Sequence, residues 1–327
     1  MTMRALVITA PGGPEVLALR EVAAPTPGRG ELRVRVRAAG LNRADLLQRR
    51  GLYPAPPWAP QEIPGLEYAG EIDAVGEGVQ GWSVGDRAMG IVAGGGCAEA
   101  VVVHADEALP VPAGMPWEEA AAIPEAFGTA YDALWAQGAL ALGEWLLIHA
   151  VGSGVGTAAL QLGRLCGARV IGTSRTAQKL SRCAALGLEH GVLAPEGRFI
   201  EAVRAVAPEG VDVIADALGA SALAQNLEAL RPQGRLVVIG LLGGAQASLP
   251  MGTLLQKRLR VMGTVLRARP LEEKIALAKA LRARVVPHLS SGALRAVVER
   301  VYPMEEAAQA HRDLEANQSF GKLVLRW

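Results

Sequence analysis

The chain has 327 residues, half of them hydrophobic and one fifth charged, which is enough to bury a large core and to build two domains. Basic and acidic residues number 33 and 32, with no basic run, so a nucleic-acid or membrane-surface partner has no electrostatic support and small molecules remain. Cys97, Cys166 and Cys183 stand far apart, the opening MTMRALVITAPGG reads as a strand entering a turn, and no run of about 18 apolar residues goes unbroken; a cytoplasmic protein is expected.

From residue 1 to about 120, short β-like runs (RALVITA, ELRVRVRAAG, YAGEIDAV, CAEAVVVH) are separated by Pro and Gly clusters, the pattern of an irregular, mostly antiparallel β domain. The densest proline stretch, PAPPWAPQEIPG (54–65), is expected to be a surface loop. From about 123 to 265, apolar runs of strand length (WLLIHAV, ARVIG, VDVIADAL, GRLVVIGLL, LRVMGTVL) alternate with helical segments, which calls for a parallel sheet covered on both faces. After Pro270 come LEEKIALAKALRARV, a helical stretch, then RAVVERVYPMEEAAQAHRDLEAN, and lastly FGKLVLRW, a strand long enough to return to the first domain. The expected architecture is α/β, a doubly wound parallel sheet over 123–267 beside a discontinuous β domain made of 1–122 and 268–327.

The segment from His149 to Lys179 holds an apolar strand, a glycine-rich turn, a small-residue helix and a second strand. The usual G-x-G-x-x-G would place glycines at 151, 153 and 156, where this chain has Val151, Ser153 and Gly156. Gly152 and Gly154 lie between them, so the turn Gly152, Ser153, Gly154, Val155, Gly156 stays slim, with N–H groups able to face a pyrophosphate at the helix start. The alternative is that these glycines only let a helix pack closely on a strand. An NAD site places Asp or Glu about 20 residues further on to accept the ribose hydroxyls. Here that position reads GTSRTAQK. No acid occurs between Glu144 and Glu189, while Ser174, Arg175, Thr176 and Lys179 cluster past the strand. A guanidinium and an ammonium give a 2′-phosphate charge-assisted hydrogen bonds, so NADPH is expected in preference to NADH. Ordinary solvated basic residues are the competing reading, although such side chains are unfavourable at a helix N-terminus that meets no anion.

Four separated stretches, LNRADLLQRRGLYPAPP, AAAIPEAFGTAYDAL, IHAVGSGVGTAALQL and ANQSFGKLVL, together resemble the zinc-free quinone oxidoreductases of the medium-chain dehydrogenase/reductase superfamily, the zeta-crystallin-like group, and within it the p53-inducible quinone oxidoreductase-like branch. The resemblance implies a GroES-like catalytic domain, a Rossmann cofactor domain, NADPH as reductant and quinones as acceptors. It implies that Asn42, Asp45 and Tyr53 line the substrate cleft and that Thr129 sits beside the nicotinamide. It also implies that GLLG (240–243), through Gly240, Leu241 and Leu242, and TVLR (264–267), through Val265 and Leu266, contact the nicotinamide end, and that Ser319 and Lys322 close over the cofactor. The chain departs from the family in having Ser153 for a glycine and Leu193-Ala194 for an Asn-Tyr pair whose aromatic faces the adenine.

Zinc-dependent relatives carry Gly-His-Glu at the position of Gly65-Leu66-Glu67, and Leu66 cannot ligate a metal; no cluster of four cysteines exists for a structural site. Cys97 reads as a small core residue and His149 as a satisfied buried histidine. Hydride transfer puts negative charge on a carbonyl oxygen, so a donor is needed near it. Tyr53 and Asn42 are the first candidates, against the plainer readings of Asn42 as an Asx-turn and Tyr53 as a packing residue. An NADPH-dependent enone or 2-alkenal reductase and an NADPH-binding sensor or structural protein are the alternatives to a quinone reductase. The apolar sixth strand, LRVMGTV (259–265), is placed at a sheet edge, where pairing with its twin in a homodimer would cover it.

Overall fold

The computed structural model describes residues 1–327, and the chain divides into two units, Met1–Gly128 with Leu266–Trp327, and Thr129–Val265.

In the first unit the strand Glu31–Gly40 organises a seven-stranded sheet. Its Leu32, Val34 and Val36 point into the core while Arg33, Arg35 and Arg37 alternate with them toward the other face, the two-residue period of a sheet with one wet side. Glu67–Val75 pairs with it antiparallel, Arg87–Ile91 follows, and Lys322–Arg326 pairs antiparallel on the other side through Val324↔Gly40 and Leu325↔Ala39. Val298–Pro303 adds a parallel edge beside Lys322–Arg326. Gly70 has to be glycine, because a Cβ there would come within 2.8 Å of the Arg35 carbonyl carbon. Leu32, Val34, Val36, Tyr68 and Ile72 form one core; Leu6, Leu41, Tyr302, Met304, Leu323 and Leu325 form another, and Thr2–Ile8 with Leu17–Ala23 makes a separate antiparallel hairpin. The tail of the chain is thus the strand that returns to the first unit. The stretch before it contains the strand Val298–Pro303 and the helix Ala307–Glu315.

The second unit is a six-stranded parallel sheet of Trp145–Ile148, Arg169–Ser174, His190–Leu193, Val211–Asp216, Leu230–Val238 and Arg260–Gly263. In space the order is third, second, first, fourth, fifth, sixth. This is the doubly wound order in which the first strand lies at the point where the winding reverses, and loops leaving the strands there form the dinucleotide crevice. Every residue of Val211–Asp216 is buried, as expected of a central strand covered on both faces. Leu147, Ile171, Val192, Phe199, Val203, Ile214, Leu227 and Leu236 make up this unit's core.

The boundaries fall at Gly128 and Leu266, not at 122 and 268. The reasons are local. The main-chain N–H of Glu125 donates to Glu67 Oε2 at 2.8 Å, and the Gly128 Cα faces the side chains of Ile91, Leu266 and Leu281. Arg267 donates from Nε to the Ala93 carbonyl, from Nη1 to the Tyr53 carbonyl and from Nη2 to Gln48 Oε1, at 2.6, 3.0 and 2.6 Å. These bonds tie 123–128 and 266–267 to the first unit.

Candidate functional site

The glycine turn of the second unit is built so that only a slim backbone fits. At Gly156 a Cβ would meet the Ala150 carbonyl oxygen and lie 2.7 Å from Val151 Cα; at Gly172, on the second strand, it would lie 2.8 Å from the Val151 methyls. Val151 is fully buried between them, so the first strand, second strand and helix Gly154–Leu165 close on one another. Ala150 takes a left-handed φ of 50°, a conformation that strains a residue with a Cβ and turns the chain into the loop. Ser153, which replaces a glycine of the family pattern, is the helix N-cap, with Oγ accepting the Gly156 N–H at 3.0 Å. The N–H groups of Gly154 and Val155, in the first turn, have no intrahelical acceptor. A pyrophosphate suits that cradle.

At the end of the second strand Ser174 is buried. Its Oγ accepts the Thr176 N–H at 3.3 Å and its carbonyl accepts the Ala194 N–H at 2.8 Å. Beyond it Arg175 and Thr176 are exposed, Thr176 is the N-cap of Ala177–Ala184, and the first turn of that helix, which includes Lys179, holds no acid. Leu193 pairs with Ser174 across the sheet edge and is half exposed, while Ala194, in the place of the aromatic of the Asn-Tyr pair, is buried. Leu241 and Leu242 are exposed in the loop after the fifth strand, beside Gly240, and Val265 is exposed after the sixth. Thr129 lies on the helix Pro124–Tyr131, partly buried. His149 is a satisfied core histidine: Nδ1 contacts Thr173 Oγ1 at 2.9 Å, Nε2 contacts Asn226 Oδ1 at 2.7 Å, and burial lowers its pKa.

The first unit brings other predicted residues into a buried polar cluster. Lys322 Nζ lies 2.6 Å from Glu67 Oε1, 2.6 Å from Asn42 Oδ1 and 2.7 Å from the Leu41 carbonyl. Three contacts match the three N–H groups of an ammonium, and the residue is buried. The expectation that Lys322 closes over a cofactor is therefore corrected: its charge is turned inward to neutralise Glu67. Asn42 Nδ2 donates to Glu67 Oε1 at 2.9 Å and, more weakly, to the Gly40 carbonyl at 3.3 Å, so its amide is already engaged and does not point a free donor at a substrate. Asp45 is also corrected from a cleft-lining residue. It is fully buried, with Oδ2 accepting the Asn42 N–H at 2.7 Å and Oδ1 the Gly65 N–H at 2.9 Å, fixing the start of helix Arg43–Arg49. Burial pushes its carboxyl up to about 6, against the pull of those two N–H groups and of Lys322 and Arg267. Leu266 is buried, leaving only its main chain for a cofactor, and Ser319 is partly buried just before the last strand.

Tyr53 remains partly exposed, its carbonyl held by Arg267 and its ring centroid 5.2 Å from the guanidinium carbon; burial, the largest influence, raises the phenol pKa, Arg267 lowers it and Glu125 raises it. Glu67, Glu125 and Arg267 belong to the same cluster and were not singled out by the sequence reading. The signal was present in two of them, since an acid inside an apolar run, as in GLEYAG and AAAIPEAF, requires a partner when it is buried. Cys97 is a core residue whose thiol burial pushes well up.

As a zinc site the donor set does not fit. Leu66 is a buried alkyl group, the Glu67 carboxylate faces an ammonium, and no group of three or more His, Cys, Asp or Glu side chains is placed to hold an ion. No helix is long and apolar enough to cross a membrane.

Fold and glycine cradle together define a nicotinamide-dependent oxidoreductase of the GroES-like plus Rossmann type. Residues 28–113 match the family model described as alcohol dehydrogenase GroES-like domain, and 154–282 the one described as zinc-binding dehydrogenase. The chain is 34% identical to quinone oxidoreductase of Lama guanicoe, over 99% of this chain and 97% of that protein. It is also 34% identical to the synaptic vesicle membrane protein VAT-1 homolog of Homo sapiens, over 99% and 86%. Among solved structures it resembles an NAD-dependent alcohol dehydrogenase (33% identity, TM-score 0.88, covering 99% and 100%) and a mycobacterial protein complexed with NADPH (30%, 0.87, 99% and 100%). The protein belongs to the medium-chain dehydrogenase/reductase superfamily, in its quinone oxidoreductase and VAT-1 branch.

Proposed function

We propose that the protein is an NADPH-dependent oxidoreductase that reduces quinones without a metal. The observation that carries the reading is the end of the second strand: Ser174 is buried there, Arg175 and Thr176 are exposed, and no acid occupies the place where a carboxylate would select NADH. Arg175, Thr176 and Lys179 hold the 2′-phosphate, the Gly154 and Val155 N–H groups hold the pyrophosphate, and Leu193 covers the adenine by apolar contact. Gly240, Leu241, Leu242 and Val265 border the nicotinamide end, with Thr129 beside it. When bound, NADPH supplies the hydride. Tyr53 orients the acceptor and donates a hydrogen bond to its carbonyl oxygen, where charge builds during reduction. Leu66 and the Lys322-neutralised Glu67 support the metal-free assignment.

Fluorescence titration should give NADPH a lower Kd than NADH, and Arg175→Ala should weaken NADPH by about tenfold or more while sparing NADH, as expected for loss of a charged hydrogen bond. Turnover on 1,2-naphthoquinone should exceed turnover on a medium-chain enone, and Tyr53→Phe should lower it with NADPH affinity nearly unchanged. Equal coenzyme affinities would refute the reductant. Faster enone turnover would make the protein an enone reductase, and tight NADPH binding with no turnover on either would make it a sensor or structural protein.

A further inference from the structure

The polar cluster of the first unit contains one carboxyl that its neighbours leave unserved. Lys322 is occupied by Glu67, Asn42 and the Leu41 carbonyl. Arg267 directs Nε, Nη1 and Nη2 at the Ala93 carbonyl, the Tyr53 carbonyl and Gln48 Oε1. Asp45 is held by two main-chain N–H groups. Glu67 takes Lys322 and Asn42 on Oε1 and the Glu125 main-chain N–H on Oε2. Glu125 itself, at the start of helix Pro124–Tyr131, contributes that N–H, yet its own Oε2 is sealed from solvent and has no hydrogen-bond partner.

A sealed carboxyl oxygen without a donor is far cheaper to keep neutral than charged. The groups that face Glu125 act in both directions: the carboxylates Glu67 and Asp45 favour its neutral form, and the cations Lys322 and Arg267 oppose it. Burial is the largest influence, and with the carboxylates it pushes the Glu125 carboxyl up to about 8. Tyr53 senses the same group, since Glu125 helps to raise its phenol. The residue as a whole is only partly buried, which leaves its proton a way out.

We propose that Glu125 is the proton donor of the reaction, holding at neutral pH the proton that the reduced acceptor needs. This rests on the quinone reading. Hydride delivery converts one carbonyl of the acceptor to an alkoxide-type oxygen with two more electrons and one hydrogen on the ring system. The carboxyl O–H of Glu125 then breaks, a new O–H bond forms on the acceptor oxygen, and the carboxylate left behind regains a proton from solvent. Tyr53 positions the oxygen that receives it.

The test combines infrared difference spectroscopy on the unmodified protein with kinetics of two variants. The protein should show the carbonyl stretch of a protonated carboxyl at neutral pH, fading as pH rises through about 8 and absent in Glu125→Gln. Glu125→Gln should lower quinone turnover by about 100-fold, the usual contribution of a general acid, with NADPH Kd unchanged and the alkaline limb of the pH profile removed. Glu125→Asp should recover part of the rate. No Gln-sensitive protonated-carboxyl band at neutral pH overturns the proposal, as does a Glu125→Gln enzyme that matches the unmodified one at every pH; in both cases quinone reduction by the unmodified protein leaves the functional reading standing. An unmodified protein that reduces neither quinone nor enone overturns the functional reading itself, and with it the destination of the proton, whatever the infrared band shows.

Discussion

Replacing Lys322 by Met tests the inward-facing ion pair most directly. The ammonium sits 2.6 Å from Glu67 Oε1, and both residues are buried. Breaking a buried pair by removing one partner costs about 3–5 kcal/mol, because the other charge is left without compensation. Glu67 keeps the Asn42 Nδ2 donor at 2.9 Å and the Glu125 N–H at 2.8 Å, which places the expected loss toward the lower figure, about 3 kcal/mol. Urea unfolding followed by tryptophan fluorescence reads the loss directly, and adding Glu67→Gln to Lys322→Met should restore most of the stability, because the uncompensated charge is then gone. NADPH affinity should change little. A variant of unchanged stability whose NADPH Kd rises about tenfold or more, the size of a lost charged hydrogen bond, would mean that the ammonium serves the cofactor, and the reasoning from the cluster would fail.

Further outcomes follow from other parts of the chain. Gly156→Ala forces a Cβ against the Ala150 carbonyl and to 2.7 Å from Val151 Cα, so NADPH titration should show affinity reduced by about tenfold or more, with the first unit's stability unaffected. Glu125→Gln should also alter stability with pH: the native carboxyl, raised to about 8 from an ordinary 4.5, gives a contribution fully present below about 4.5 and lost as pH rises through about 8. The Gln variant should therefore equal the parent in acid and exceed it by a few kcal/mol above about pH 8 in urea melts. The strand Arg260–Gly263 pairs on one side only, with Leu230–Val238, and Val261 on it is 39% exposed; light scattering at micromolar concentration should give a homodimer, and Val261→Lys should shift it toward monomer.

Periodicity made the two architectures legible before any coordinates. ELRVRVRAAG alternates, and its three arginines stand out of the core as the alternation requires; VDVIADAL does not alternate, and Val211–Asp216 is buried throughout. The glycine turn was legible for a similar reason, since closeness of backbone is a property of single residues: Gly156 and Gly172 each face Val151. Ser153 reads as a gap in the glycine pattern, yet its hydroxyl caps the helix, a role that its place just ahead of the helix could have suggested. The start of FGKLVLRW carried no sign of which way Lys322 turns, because a lysine at the first residue of a strand is ordinarily solvated.

What the sequence could not convey is how donors are shared among buried charges. Asn42, Asp45 and Lys322 are marked by a motif, but the motif does not say that Asn42 and Lys322 both serve Glu67, or that Asp45 closes on two main-chain N–H groups. Their partners come from strands at opposite ends of the chain, and hydrogen bonds are counted only after those strands are paired. The count matters for chemistry. Each occupied donor in the cluster removes one from Glu125, so the same bonds that turn Asn42 and Asp45 from expected cleft residues, and Lys322 from an expected cofactor contact, into supports are the reason a neighbouring carboxyl keeps its proton. A cluster that only neutralised itself would leave no unpartnered oxygen; the sealed Glu125 Oε2 is the excess that gives the supports a function beyond stability.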